Sequence, residues 1–229
     1  MTILLYDLVG KDPSRPFSPH CWKTKMMLAH LGREYECVPT RFTQVTEIED
    51  GSYTSLPTIR DGDFCIQDSF EIAKYYAHGG PMIGGSDGEA LVRFTECWSQ
   101  TQLHSWMGKW AMLDIHNMLD DEDQLFFRTK REKMFGTTLE NLTAGRDDTV
   151  PELLSRLMPM KIALRHNNFI GGATPNFADY IVFGAFQWLR VSSSLKMIPH
   201  DHVVMDWFKR CQDLHDGLGH SVTEGELTI

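Results

Sequence analysis

"LPTIRDGDFCIQDS", Leu56 to Ser69, is the stretch that decides the fold. "TIRDGDFCIQ" reads as two short strands around Asp61-Gly62-Asp63, a hairpin signal. Asp68-Ser69 then caps a helical pattern, "FEIAKYYAH". The unit is β-β-α. Upstream, "TILLYDL" is a compact apolar run of strand length. After the polar loop "VGKDPSRPF", Ser18-Pro19 sets serine at an N-cap and proline at the first helical position. Trp22, Met26, Met27, Leu28 and Leu31 give that helix its apolar side, and Gly32 fits its C-terminal cap. "YECVPT" is the next strand. A β-α-β unit with a right-handed crossover thus precedes the β-β-α unit.

That order predicts a thioredoxin-like domain over residues 1–79. "HGGPMIGGSDG", His78 to Gly88, is glycine-rich and without periodicity, and residues 80–88 read as the linker. Beyond it the pattern is helical, and residues 89–229 are expected to form an all-helical domain. Leu91, Phe94, Trp98, Gln102, Trp106 and Trp110 fall at three- and four-residue steps. Further helices are expected over 126–145, 149–167, 176–189 and 203–214. The acidic run Asp120–Asp123 reads as a solvated loop or a helix start.

Bulk properties narrow the function. The 229 residues suit one large or two small domains, and 42% hydrophobic with 23% charged residues is ordinary globular composition. A net charge of -9 argues against nucleic acid and anionic lipid as partners. The five cysteines, Cys21, Cys37, Cys65, Cys97 and Cys211, show no metal or disulfide spacing, so reduced thiols and a cytoplasmic location are expected. His200-Asp201-His202 lacks partner ligands at a recognised spacing and reads as a loop or helix cap. No metal is expected.

Three features converge on one end of the first domain. Ser18 is either a plain cap or a hydrogen-bond donor to a thiolate at a helix N-terminus. Leu56-Pro57 is either an ordinary strand start or, in a thioredoxin-like context, a cis-proline that turns the Leu56 backbone toward an extended peptide. Asp68-Ser69 is either a cap or a grip for carboxylate and ammonium groups. Together they describe a site for a γ-glutamyl peptide whose sulfur lies at a helix start. G-x-S-x-G is absent, which argues against a serine hydrolase. A disulfide reductase using Cys21 is a weaker reading, because Cys21 lies a turn into the helix.

On these residues the sequence resembles a soluble glutathione transferase over its whole length. "TPNFADY", Thr174 to Tyr180, looks like that family's helical capping motif, with Asn176 and Asp179 as a capping-box pair. "SPHCWKTK", "EKMFGTTLENLTAGR", "FIGGATPNFADY" and "DWFKRCQDLHDGLG" resemble the bacterial β-etherase branch and the fungal FuA class. The resemblance implies glutathione as co-substrate and Ser18 as the residue that stabilises its thiolate. It implies contacts from Leu56, Asp68 and Ser69, with Trp22 matching the branch beside them. Many relatives hold the glycine carboxylate with a lysine just before the cis-proline. Here that place is Ser55, with Arg41 and Gln44 as substitutes. Phe17, Trp106 and Trp110 are the candidate apolar pocket. The implied reaction is thiolate attack on apolar, aromatic electrophiles, with aryl-ether thiolysis or hydroperoxide reduction as candidates. The alternative is a largely non-catalytic carrier of phenolic ligands. A C2 homodimer is expected from the family.

Overall fold

A computed structural model describes residues 2–225, without the side chain of Ser86. Its first unit is a four-stranded sheet of order β2-β1-β3-β4. β1 (Ile3–Leu8) pairs in parallel with β2 (Tyr35–Thr40) across α1 (Pro19–His30). β3 (Thr58–Asp61) runs antiparallel to β1, and the hairpin brings β4 (Phe64–Gln67) to the edge. α2 (Ser69–Ala77) follows. Ile3 and Leu5 of β1 are buried against α1, where Met26, Met27 and Leu28 are fully covered. Gly32, at φ 62°, ends α1 in the left-handed conformation that glycine adopts without strain. The β-α-β, β-β-α reading holds element for element.

The glycine-rich segment is more ordered than its composition predicts. A 3-10 turn occupies Pro81–Ile83, and α3 (Gly85–Trp98) starts inside it. α3 runs into a π-helical turn, Ser99–His104, and then α4 (Ser105–Asn117). A π turn holds more residues than an α turn, so the side-chain phase shifts across it. The single expected stripe is therefore split. Leu91 and Phe94 are 72% and 69% exposed, while Trp106 and Trp110 are buried.

The acidic run proves to be a helix start and more. Asp120 caps α5 (Asp121–Phe135), and Asp123 is fully buried. The helix expected over 126–145 ends at Gly136, left-handed at φ 68°, and α6 (Leu139–Thr143) starts afresh from Thr138. The segment 149–167 is likewise divided, into α7 (Val150–Arg156) and α8 (Met158–Ala163). α9 (Phe177–Ser192) is the buried central helix. Its capping box closes as expected. Asp179 also receives the Ile170 and Gly171 amides at 2.7 and 2.8 Å and the Trp207 indole at 2.9 Å. α10 (Val203–Gly217) is capped by His202 and loses helical dihedrals at Leu214–Asp216.

α1 and α9 form the main seam between the two units. At Gly184 an added Cβ would lie 2.3 Å from the Pro19 carbonyl oxygen, so only glycine allows the α1 start to sit this close. Trp22 packs edge-on against Phe183, with centroids 6.2 Å apart. The buried Lys23 ammonium reaches Glu96 of α3 at 3.0 Å.

Candidate active site

Ser18 is the N-cap of α1. Its Oγ accepts from the Cys21 amide at 3.3 Å, and its carbonyl accepts the Trp22 amide at 3.1 Å. A hydroxyl carries one donor besides its acceptor lone pairs. Capping uses an acceptor lone pair and not the hydroxyl proton, which is also near the Cys21 thiol. Ser18 is only 3% exposed, yet it lines a cleft of about 780 Å³. That volume lies within the ~300–1,000 Å³ usual for small-molecule sites. Pro19 at the first helical position leaves the positive end of α1 beside it.

Leu56 lines the same cleft, and the Leu56-Pro57 bond is cis. Neither the Leu56 amide nor its carbonyl is hydrogen-bonded among the described residues. The Pro57 carbonyl accepts the Asp68 amide at 3.2 Å, which ties this loop to the start of α2. Asp68 has φ 80°, a costly conformation for a residue with a side chain. Its Oδ1 takes the Phe70 and Glu71 amides at 2.8 and 3.1 Å. Oδ2 takes no hydrogen bond among the described residues. Ser69, 2% exposed, is the first residue of α2, and neither it nor Asp68 is among the residues that line the cleft.

Other expected site residues fall elsewhere. Trp22 is fully buried. Its indole N–H donates to the Pro16 carbonyl at 3.0 Å, and the Lys25 ammonium sits 3.7 Å over its ring. It braces the loop before Ser18 from behind and does not reach the cleft. Arg41 pairs with Asp120, and the Gln44 Oε1 accepts the Arg41 amide at 3.0 Å. Arg41 is turned into the junction with α5, where Asp123 also takes the Phe42 and Thr43 amides at 2.9 Å each, and Gln44 closes its own loop. The cleft is lined there by Phe42, Val45, Thr46, Thr54 and Ser55. Cys21 is fully buried, and burial pushes its thiol far above the ordinary range, with Asp7 adding to the effect. That is inconsistent with a reactive redox thiol.

Of the three expected pocket residues, Phe17 lines the cleft. Trp106 and Trp110 do not. They stack on each other at 4.9 Å on the far face of α4, and Arg146 lies 5.4 Å from the Trp110 ring. The π turn rotates Ser105, Gly108, Lys109, Met112 and Ile115 to the cleft instead. α5 supplies an opposing wall that the sequence reading missed: Phe126, Phe127, Lys130, Arg131, Met134 and Phe135. Phe42 links the walls, 6.1 Å from Phe17 and 5.5 Å from Phe127 between ring centroids. The signal was present as two four-residue rows, 126-130-134 and 127-131-135. His20 and His104 complete the floor with Trp188. Burial holds the His104 imidazole well below the usual range, down to about 3, and Lys23 adds to this.

A thioredoxin-like sheet unit, an all-helical unit and a cleft between the α1 start and an aromatic wall together define a two-part fold with a recognisable lineage. Family models match both parts: the glutathione S-transferase N-terminal domain over residues 13–80, and the glutathione S-transferase C-terminal domain over 90–213. The chain belongs to the glutathione S-transferase family. Among solved structures, glutathione transferase GSTFuA3 from Phanerochaete chrysosporium is 22% identical, with TM-score 0.81 over 92% of this chain and 96% of that one. A glutathione S-transferase of Ceriporiopsis subvermispora, solved in complex with glutathione, is 20% identical, with TM-score 0.82 over 94% and 97%. A glutathione S-transferase from Xanthobacter autotrophicus is 17% identical, with TM-score 0.63 over 93% and 94%. At these identities the likeness is one of fold.

Proposed function

We propose that this cleft binds glutathione along its sheet-side wall and transfers the thiol to an apolar aromatic electrophile. The observation that carries the reading is Ser18. It caps α1 with an acceptor lone pair and keeps its proton for a sulfur at the helix start. In this role it favours the thiolate, because a hydrogen bond to a charged form lowers its pKa. The Leu56 amide and carbonyl pair with the peptide backbone. The α2 start at Ser69 takes the γ-glutamyl carboxylate, and Asp68 Oδ2 accepts from the ammonium. Thr54 and Ser55 replace Arg41 and Gln44 as candidates for the glycine carboxylate. The thiol proton leaves to solvent. Sulfur then forms a bond to the electrophilic carbon, and the leaving group departs with its electron pair. Positioning and charge stabilisation supply the rate.

Aryl-ether thiolysis and hydroperoxide reduction fit an aromatic cleft of this size. So does a carrier of phenolic ligands, a second reading favoured by the Phe- and Met-rich α5 wall, which adapts to varied shapes. The pH dependence of turnover decides between catalyst and carrier. Ser18→Ala is expected to raise the pKa that governs kcat/KM. An unchanged profile removes Ser18 from the reaction, and tight aromatic binding with no turnover leaves the carrier.

Residues 1–79 and 89–229 act as the two units, joined by 80–88. The five cysteines are free, which suits a reducing cytoplasm. Phe64 on the edge strand β4 and Leu91 and Phe94 on α3 are 65–72% exposed and suit the contact face of a homodimer. Phe94→Glu is expected to shift the dimer to monomer by light scattering.

A further inference from the structure

The charge of the cleft is opposite to that of the protein. The chain carries -9 overall, yet no aspartate or glutamate lines the helical wall of the cleft, while Lys109, Lys130 and Arg131 do. Arg131 is half-buried. Its Nη1 reaches only the Met134 sulfur at 3.9 Å, and its guanidinium lies 5.2 Å from the Phe127 ring centre. Its Nε is inaccessible to solvent and has no hydrogen-bond partner. Among the described residues neither Arg131, Lys130 nor Lys109 forms an ion pair. The carboxylates nearest in sequence are engaged elsewhere, Glu132 with Arg128 at 2.8 Å and Asp123 with the backbone of 42–43. Burial alone lowers the basicity of the Arg131 guanidinium, with no acid counteracting it. Desolvating a cation without a partner is unfavourable, and an arriving anion relieves that cost. A guanidinium offers a planar fork that matches a carboxylate or sulfonate.

We infer that the second ligand of the cleft is an aromatic anion, with its ring against Phe126, Phe127 and Met134 and its acidic group on Arg131, supported by Lys130. This deepens the proposed function by naming the acceptor class. It stands apart from the glutathione carboxylates, which fall to the sheet-side wall.

The test uses two probes with one ring system: 8-anilinonaphthalene-1-sulfonate, which is anionic, and N-phenyl-1-naphthylamine, which is neutral. Both are titrated by fluorescence, with and without glutathione. Arg131→Gln is expected to weaken the sulfonate about tenfold and to leave the amine within about twofold, the difference expected of one charge-assisted contact. Arg131→Lys, which keeps the charge and loses the fork, is expected to fall between. On the unaltered protein, raising ionic strength is expected to weaken the sulfonate several-fold relative to the amine. This arm holds even if the Arg131 variants fold poorly. Equal losses for both probes, or no loss with salt or substitution, overturn the inference. So does a loss of glutathione affinity with sulfonate selectivity unchanged, which would assign Arg131 to the tripeptide. If the protein conjugates no electrophile yet keeps the selectivity, the transferase reading falls and this one stands.

Discussion

The sheet-side wall of the cleft is the α1 start at Ser18 and Pro19 with the loop Thr54, Ser55 and Leu56 before β3. The helical wall is built of side chains: phenylalanine rings, methionine thioethers, the His104 imidazole and three cations. The first wall uses geometry that a helix cap and a loop before a strand fix. The second depends on which face each helix presents, and it can be rewritten residue by residue. Under the proposed function, thiol activation belongs to the first wall and acceptor choice to the second.

The largest effect should come from uncoupling the walls. Asp123 is fully buried and holds the amides of Phe42 and Thr43. Asp123→Ala leaves those two donors without a partner and is expected to cost about 3 kcal/mol, read as a lower denaturant midpoint. Loss within experimental error would mean that the 41–44 loop is held by other contacts. Next comes Ser18→Ala, expected to lower kcat/KM by about a hundredfold at neutral pH, with binding of aromatic ligands unchanged. If aromatic affinity fell as well, the division between the walls would be wrong. Phe126→Ala should do the reverse: KM for an apolar electrophile rises about fivefold while the pKa of the activated thiol stays put.

Taken per pH unit, the smallest effect on stability is a pH dependence at the cleft floor. His104 is held neutral, with a folded value of about 3 against 6.5 for an ordinary histidine. Above pH 6.5 both folded and unfolded states are neutral, and stability is complete. As pH falls from 6.5 toward 3, the unfolded chain gains a proton that the folded chain refuses, and stability drops by at most about 1.4 kcal/mol per pH unit. His104→Gln should flatten part of this slope in denaturant titrations at pH 4–7. His20, shifted downward chiefly by burial, adds to the slope, as do His30, His202 and His215.

The sheet-side wall was legible because each element there is punctuated. Ser18-Pro19 starts a helix, Gly32 ends it, Asp61-Gly62 turns a hairpin, and Asp68 starts α2. These signals are local, so spacing and fold context anticipated Ser18 and Leu56 on one wall, with Asp68 capping α2 nearby in the chain. The helical wall was not legible, for two physical reasons. A π turn at Ser99–His104 breaks the three-four periodicity, and it sent Trp106 and Trp110 to the back of α4. The apolar rows of α5 are visible in sequence, but nothing local says that they face another domain. Arg41 failed for a related reason: its partner, Asp120, is 79 positions away.

Gly184 has a mechanical consequence. The helix start that carries Ser18 is seated against α9 with no room for even a methyl group, so it cannot swing when the site fills. Any widening for a bulky guest must therefore come from the opposite jaw, chiefly the half of α5 beyond its Asp123 anchor. Amide exchange should show this as a slow, ligand-indifferent α1 facing an α5 end whose protection rises when an aromatic guest is bound.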